Sequence, residues 1–275
     1  MTDHGDTTQH DDIPQHDDLA EHCELHPSAV VPSSGPVVLL HGGTAAGWMW
    51  QEQLEVLRDR TVLTLDLPGF GHRATESWPG LDTAADDVVA RVRRLGVTER
   101  FHLVGLSLGA VTALHVLARH PDAVLSTFAT GAILAPMGRP ARALARAQLA
   151  LWDARWFWQL QARMHGLDEE GRSLFVAHGL TLRRENMVAL MQEVYGGGVP
   201  QGLGPGSGRI LAIAAEHDPA PIHRSLALLG AVAPQAELRV APGMHHIWSI
   251  EDVDLFNQAL LSWLRGEVEP RLLPA

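Results

Sequence analysis

The chain is expected to be an α/β protein: a mostly parallel sheet of about six strands, helices on both faces, and an inserted helical cap. Three observations lead there. Short apolar runs alternate with amphipathic stretches of helical period. The runs lack a polar alternation, which marks strands buried on both faces. Several of them end in glycine-containing loops, at the strand ends where open α/β sheets build their sites.

The first run, PVVLLHGG (36–43), is a buried strand closing on two glycines. An amphipathic stretch from Trp50 to Arg58 follows, and TVLTLDLPGFG (61–71) is a second strand with a Pro/Gly loop. Leu81 to Leu95 reads as a helix with Val88, Val92 and Leu95 on one face. FHLVGLSLG (101–109) is a third strand running directly into a helix that ends near His120. VLSTFATGAIL (124–134), RILAIAAEHD (209–218) and AELRVAP (236–242) complete the strands, and Val253 to Arg265 is the closing amphipathic helix. Residues 135–207 break the rhythm. They are helical, rich in Arg and Ala, and end in GGGVPQGLGPGSG (196–208), a flexible return. The expected division is a tail over 1–34, a core over 35–134 and 208–275, and a cap over 135–207.

Composition narrows the function. The 275 residues are 46% hydrophobic, enough for a sizeable core. A net charge of −11 argues against nucleic acid. Eight acids (Asp3, Asp6, Asp11, Asp12, Asp17, Asp18, Glu21 and Glu24) lie in the first 26 residues with no basic residue, so the remainder is nearly neutral. All 21 basic residues are Arg. The same tail repeats His4, His10, His16 and His22 every six residues. That spacing matches no common metal-ligand pattern, so the segment reads as a disordered, low-complexity tail rather than a metal site. The one cysteine, Cys23, excludes an internal disulfide. No apolar run spans a bilayer and the N-terminus does not resemble a secretory signal, so a cytoplasmic protein with no membrane partner is expected.

The chemistry centres on GLSLG (105–109). Ser107 sits between a strand and a helix, the setting of a nucleophile elbow, where a sharp turn demands small residues two positions to either side. Gly105 and Gly109 meet that demand. A serine hydroxyl needs a base. His245 and His246 in PGMHHIWSIED follow the last strand and compete for that role. A carboxylate must orient the base. Asp218 ends the fifth strand, with Glu216 two residues earlier; the alternative reading of Asp218 is a helix N-cap. The order Ser, Asp, His suits this architecture. For the oxyanion, Leu108 N–H is one expected donor and Gly43 in HGGT (41–44) the other, with Thr44 as its alternative. His41 is expected to support that loop, and His72 to lie at the pocket mouth without an assigned role. Thr44, Trp152, Trp156 and His245 are candidate substrate contacts; the cap aromatics alternatively only pack the cap onto the core.

Together HGG (41–43) with Trp50, DLPGFG (66–71), GLSLG (105–109), the late Asp and GMHH with Glu251 resemble the α/β-hydrolase superfamily, over about 36–134 and 208–265. The resemblance implies a capped, esterase-like serine hydrolase acting on a small apolar ester or lactone, with neither metal nor cofactor. It favours His246 as the base, since members place that histidine five positions before a Glu. It leaves open carbon–carbon hydrolysis, lyase or cyclase chemistry, and a non-catalytic ligand-binding role. Two features depart from the pattern. Two opening antiparallel strands are replaced by the polar repeat, with only Ser28 to Val31 left to supply a fragment, and Arg73 stands where a serine is usual after GFG-x.

Overall fold

The computed structural model describes residues 25–27, 35–164, 167 and 169–275. Six parallel strands form where the apolar runs predict them: β2 (Val37–Leu40), β3 (Val62–Leu65), β4 (Phe101–Leu106), β5 (Val124–Thr130), β6 (Arg209–Ala215) and β7 (Glu237–Ala241). Two more strands of two residues each close the edges, β1 (Leu25–His26) antiparallel to β3 and β8 (Leu273–Pro274) antiparallel to β7. The sheet order is β1-β3-β2-β4-β5-β6-β7-β8.

Eight strands therefore replace the expected six. Each extra strand is too short to leave a hydrophobic run, and pairing alone creates it. Leu25 opposite Leu63 and His26 opposite Val62 cover the β3 edge, inside the stretch that the sequence assigns to the tail. The candidate fragment at Ser28 to Val31, the histidine repeat and Cys23 lie outside the described residues.

Alternation along the strands feeds two cores. On one face Val38, Leu40, Leu103 and Ala129 pack with α2 (Leu81–Arg94) and α3 (Leu108–Arg119). On the other, Val37, Leu39, Val104 and Phe128 meet Trp248, in α9 (Trp248–Glu251), and Phe256 and Trp263, in α10 (Val253–Arg265). The Asp252 carboxylate accepts the Leu255 N–H at 2.9 Å and starts α10; Gly266, at φ 96°, ends it. The stretch from Trp50 to Arg58 holds one short helix, α1 (Gln51–Leu54), between two 3₁₀ turns, and α8 (Ala220–Val232) follows β6.

Between β5 and β6 stand four helices: α4 (Arg139–Leu149), α5 (Arg155–Met164), α6 (Glu169–Thr181) and α7 (Arg184–Val194). Aromatic residues of this insertion pack edge to face, with Trp152, in the turn before α5, and Trp158 at 4.6 Å and Phe157 and Trp158 at 5.4 Å. Gly179 permits this packing, because a Cβ there would lie 2.3 Å from the Trp158 ring. Side chains of α7 fasten the insertion to the segment before α2. Asn186 Oδ1 accepts the Trp78 N–H at 2.9 Å, and Glu193 accepts the Trp78 indole N–H at 3.0 Å and the Leu81 N–H at 2.9 Å.

Candidate active site

The turn between β4 and α3 stores backbone strain at Ser107. Its φ of 55° makes it the one non-glycine with positive φ among the described residues. Such a conformation costs about 1–3 kcal/mol and persists where its surroundings enforce it. They do so here: a Cβ at Gly105 would lie 2.3 Å from the Gly109 carbonyl oxygen, and one at Gly109 would lie 2.0 Å from the Leu40 oxygen. The Ser107 N–H donates to the Thr130 carbonyl at 2.8 Å, anchoring the turn to the end of β5.

The candidate base and its carboxylate come from two other strand ends. His246 Nδ1 donates to Asp218 Oδ1 at 2.6 Å, and Asp218 Oδ2 accepts the Ala215 N–H at 2.8 Å. The Asp218 side chain is 0% exposed and the imidazole 33%. Asp218 is not the N-cap of α8; that position is Pro219, and no side chain caps the helix. The His246 ring lies against Gly131, where a Cβ would fall 2.6 Å from its Cε1. Gly131 follows Thr130, whose carbonyl holds Ser107, so this dipeptide joins the histidine to the serine turn. Sequence reasoning missed Gly131; its signal is only a glycine just past a buried strand.

His245 has a carboxylate of its own. Glu251 accepts its backbone N–H at 2.7 Å and its Nδ1–H at 2.8 Å. The Glu251 carboxyl titrates below the usual range: burial pushes it up, but hydrogen bonds from His245 pull it down further. The glutamate that the sequence pattern associates with His246 thus pairs with its neighbour. The His245 side chain is 69% exposed, and its ring lies 4.7 Å from that of His217. Glu216 turns to the same loop and accepts the Gly243 N–H at 2.6 Å.

The expected oxyanion donors adjoin. The Gly42 N–H meets Met49 Sδ at 3.3 Å, whereas the Gly43 N–H has no acceptor among the described residues. A Cβ on Gly43 would sit 3.7 Å from the Leu108 Cβ. Leu108 opens α3, so its N–H has no partner four residues back in the helix. Thr44 follows, half-buried, in the same turn. His41 is fully buried and supports this loop: Nδ1 donates to the Gly42 carbonyl at 2.8 Å and Nε2 accepts the Leu67 N–H at 3.0 Å. Burial lowers its pKa against the opposing pull of Asp66 and the Gly42 carbonyl, keeping the ring neutral.

Asp66 ties the two front loops together. It accepts the Gly47 N–H at 2.9 Å, the His72 N–H at 2.9 Å and His72 Nδ1–H at 2.8 Å. Arg73, the departure from the family pattern, holds Glu76 through two bonds of 2.8 and 2.7 Å, pairs with Asp87, and donates to the Asp66 carbonyl at 3.3 Å. It braces the loop from inside. Trp152 is buried within the cap with its indole N–H on the Leu182 carbonyl at 3.0 Å, and Trp156 is 55% exposed on α5. The Trp152 contacts favour the packing reading over a pocket wall. A groove of about 500 Å³ between Asp82, His115, Arg119 and Gly197 includes none of these site residues.

The α/β-hydrolase fold family model matches residues 35–201. The chain belongs to that family. This α/β-hydrolase is 29% identical over 255 residues to a protein of Agrobacterium fabrum named as a carbamate hydrolase, RutD, covering 84% of this chain and 94% of the relative. It is 33% identical over 188 residues to the pimeloyl-[acyl-carrier protein] methyl ester esterase of Chromobacterium violaceum, covering 64% and 67%. Among solved structures, the bromoperoxidase of Bacillus anthracis superposes with a TM-score of 0.73 at 19% identity, covering 88% of this chain and 94% of that one. At that identity the likeness is one of fold. No helix among the described residues is long and apolar enough to cross a membrane.

Proposed function

We propose that this α/β-hydrolase cleaves a small apolar ester or lactone through Ser107, His246 and Asp218, with Gly43 and Leu108 N–H groups as the oxyanion hole. The observation that carries this reading is the 2.6 Å contact of His246 Nδ1 with the buried Asp218, at the strand ends where Ser107 adopts its strained turn. With Nδ1–H donated to the carboxylate, Nε2 keeps the lone pair that a general base needs. The names of the two relatives, a carbamate hydrolase and a methyl ester esterase, agree with acyl transfer.

His246 Nε2 takes the Ser107 hydroxyl proton as Oγ attacks the carbonyl carbon. The carbonyl oxygen becomes an oxyanion facing Gly43 and Leu108 N–H. The bond to the leaving oxygen breaks, and that oxygen takes the proton from Nε2, leaving an acyl-serine. Water then gives a proton to Nε2 and attacks the acyl carbon; the acid departs, and the proton returns to Ser107.

Fluorophosphonate labelling tests the nucleophile. The expected result is labelling of the wild type and none of Ser107→Ala, with hydrolysis of p-nitrophenyl esters lost by roughly 10⁴-fold or more in the variant. Labelling without turnover of any ester would move the assignment to lyase or carbon–carbon chemistry on the same serine. No labelling would leave a ligand-binding protein.

A further inference from the structure

Cap helix α6 carries His178, fully buried, with neither ring nitrogen hydrogen-bonded among the described residues. Two other buried histidines show the contrast. Buried His41 bonds at both nitrogens, and His102 Nδ1 meets Ser126 Oγ at 2.8 Å. The His178 ring stands 6.2 Å from that of Trp48, edge to face, and 6.4 Å from Phe70. The Trp48 indole N–H is also buried without an acceptor. The Ala45 backbone lies near enough to act on the imidazole, short of hydrogen-bond geometry, and Ala45 is two residues beyond Gly43. Two neighbouring rings with unmatched polar groups thus stand where the cap meets the loop of the expected oxyanion donor. Buried donors left unpaired are costly, and native folds keep few of them.

We propose that Trp48 and His178 form a polar subsite that takes a second, uncharged oxygen of the substrate, an ether, keto or hydroxyl group beyond the scissile carbonyl. This rests on the ester-cleaving reading above and names the substrate class for it. The indole offers one donor; a neutral imidazole offers one donor and one acceptor. Burial holds the His178 pKa down to about 3, only partly opposed by Asp66 and the Ala45 backbone, so the ring stays neutral and gives a carboxylate no counter-charge. A hydrogen-bonding site of this kind discriminates against the analogue that lacks the oxygen.

The test compares pairs of isosteric p-nitrophenyl esters: methoxyacetate against butanoate, and 3-methoxypropanoate against pentanoate. The readout is the ratio of kcat/KM within each pair, which cancels the intrinsic reactivity of each ester when variants are set against the wild type. In at least one pair the ratio should fall about threefold to tenfold in His178→Leu and in Trp48→Phe, which keeps a ring but removes the donor. His178→Gln, which restores an N–H and an acceptor, should recover part of it. Ratios equal to the wild type in both pairs and both variants would overturn the subsite while leaving the serine chemistry intact. Loss of all ester turnover and of fluorophosphonate labelling in the wild type would overturn the catalytic reading and the subsite together.

Discussion

His246 and His245 are neighbours, and each presents Nδ1 to a carboxylate at nearly the same distance, 2.6 Å to Asp218 and 2.8 Å to Glu251. Their surroundings differ. Asp218 is sealed from solvent, held by the Ala215 N–H, and its histidine rests on Gly131 beside the serine turn. Glu251 is about a third exposed, and its histidine faces His217 and water. A hydrogen-bond length alone does not distinguish the proposed base from a surface pair. The buried acid does, because a carboxylate shielded from water holds one tautomer and one ring orientation more firmly.

Removing the two acids should separate the pairs most sharply. Asp218→Asn is expected to lower kcat on p-nitrophenyl esters by about 10⁴-fold with the fold retained, as judged by circular dichroism. Glu251→Gln should change it by less than about fivefold. Equal losses would break the distinction between the two histidines. Next comes Gly131→Ala. The added methyl meets the His246 ring and favours a different φ, so a loss on the order of 10²-fold is expected, again with native circular dichroism. An alanine variant with normal turnover would mean that the ring position is not set by this glycine.

Smaller effects belong to the exposed pair. His245→Ala should retain turnover within about fivefold and cost about 0.2–1 kcal/mol in urea denaturation. The pH dependence has a definite sign. The folded-state pKa of Glu251 lies below its unfolded value, so its stabilisation is complete above the unfolded carboxylate pKa and is lost as pH falls through the folded one. Glu251→Gln should therefore destabilise at pH 7 and approach the wild type in acid, with the gap narrowing in high salt. A difference that stayed constant with pH would assign the loss to packing rather than charge.

Much of this site was readable because its demands are local. Gly105 and Gly109 flank Ser107 because the backbones of α3 and β2 leave no room for a Cβ, and that requirement appears directly as GLSLG. The apolar runs announced six strands for a similar reason, five of them being buried along most of their own length and β7 half-buried. Asp218 and His246 were legible as candidate partners from their places after two strands, but Glu216 and His245 competed with them, and packing across 28 positions brought this pair together. The Glu251 pattern favoured His246, the ring that meets Asp218, although Glu251 itself bonds His245. Asn186 and Glu193 bind backbone more than a hundred residues away, and nothing in their own neighbourhood marks them.

The amino-acid order by itself determined where the chain turns, which stretches must be buried and which serine takes the strained bend, because each follows from sterics and hydrophobicity over a few residues. The tertiary structure decided which imidazole meets the sealed carboxylate, that two short edge strands complete the sheet, and that His178 reaches the Trp48 loop without a partner. Those outcomes depend on distances across the sheet and between cap and core, which come into being only when the elements pack.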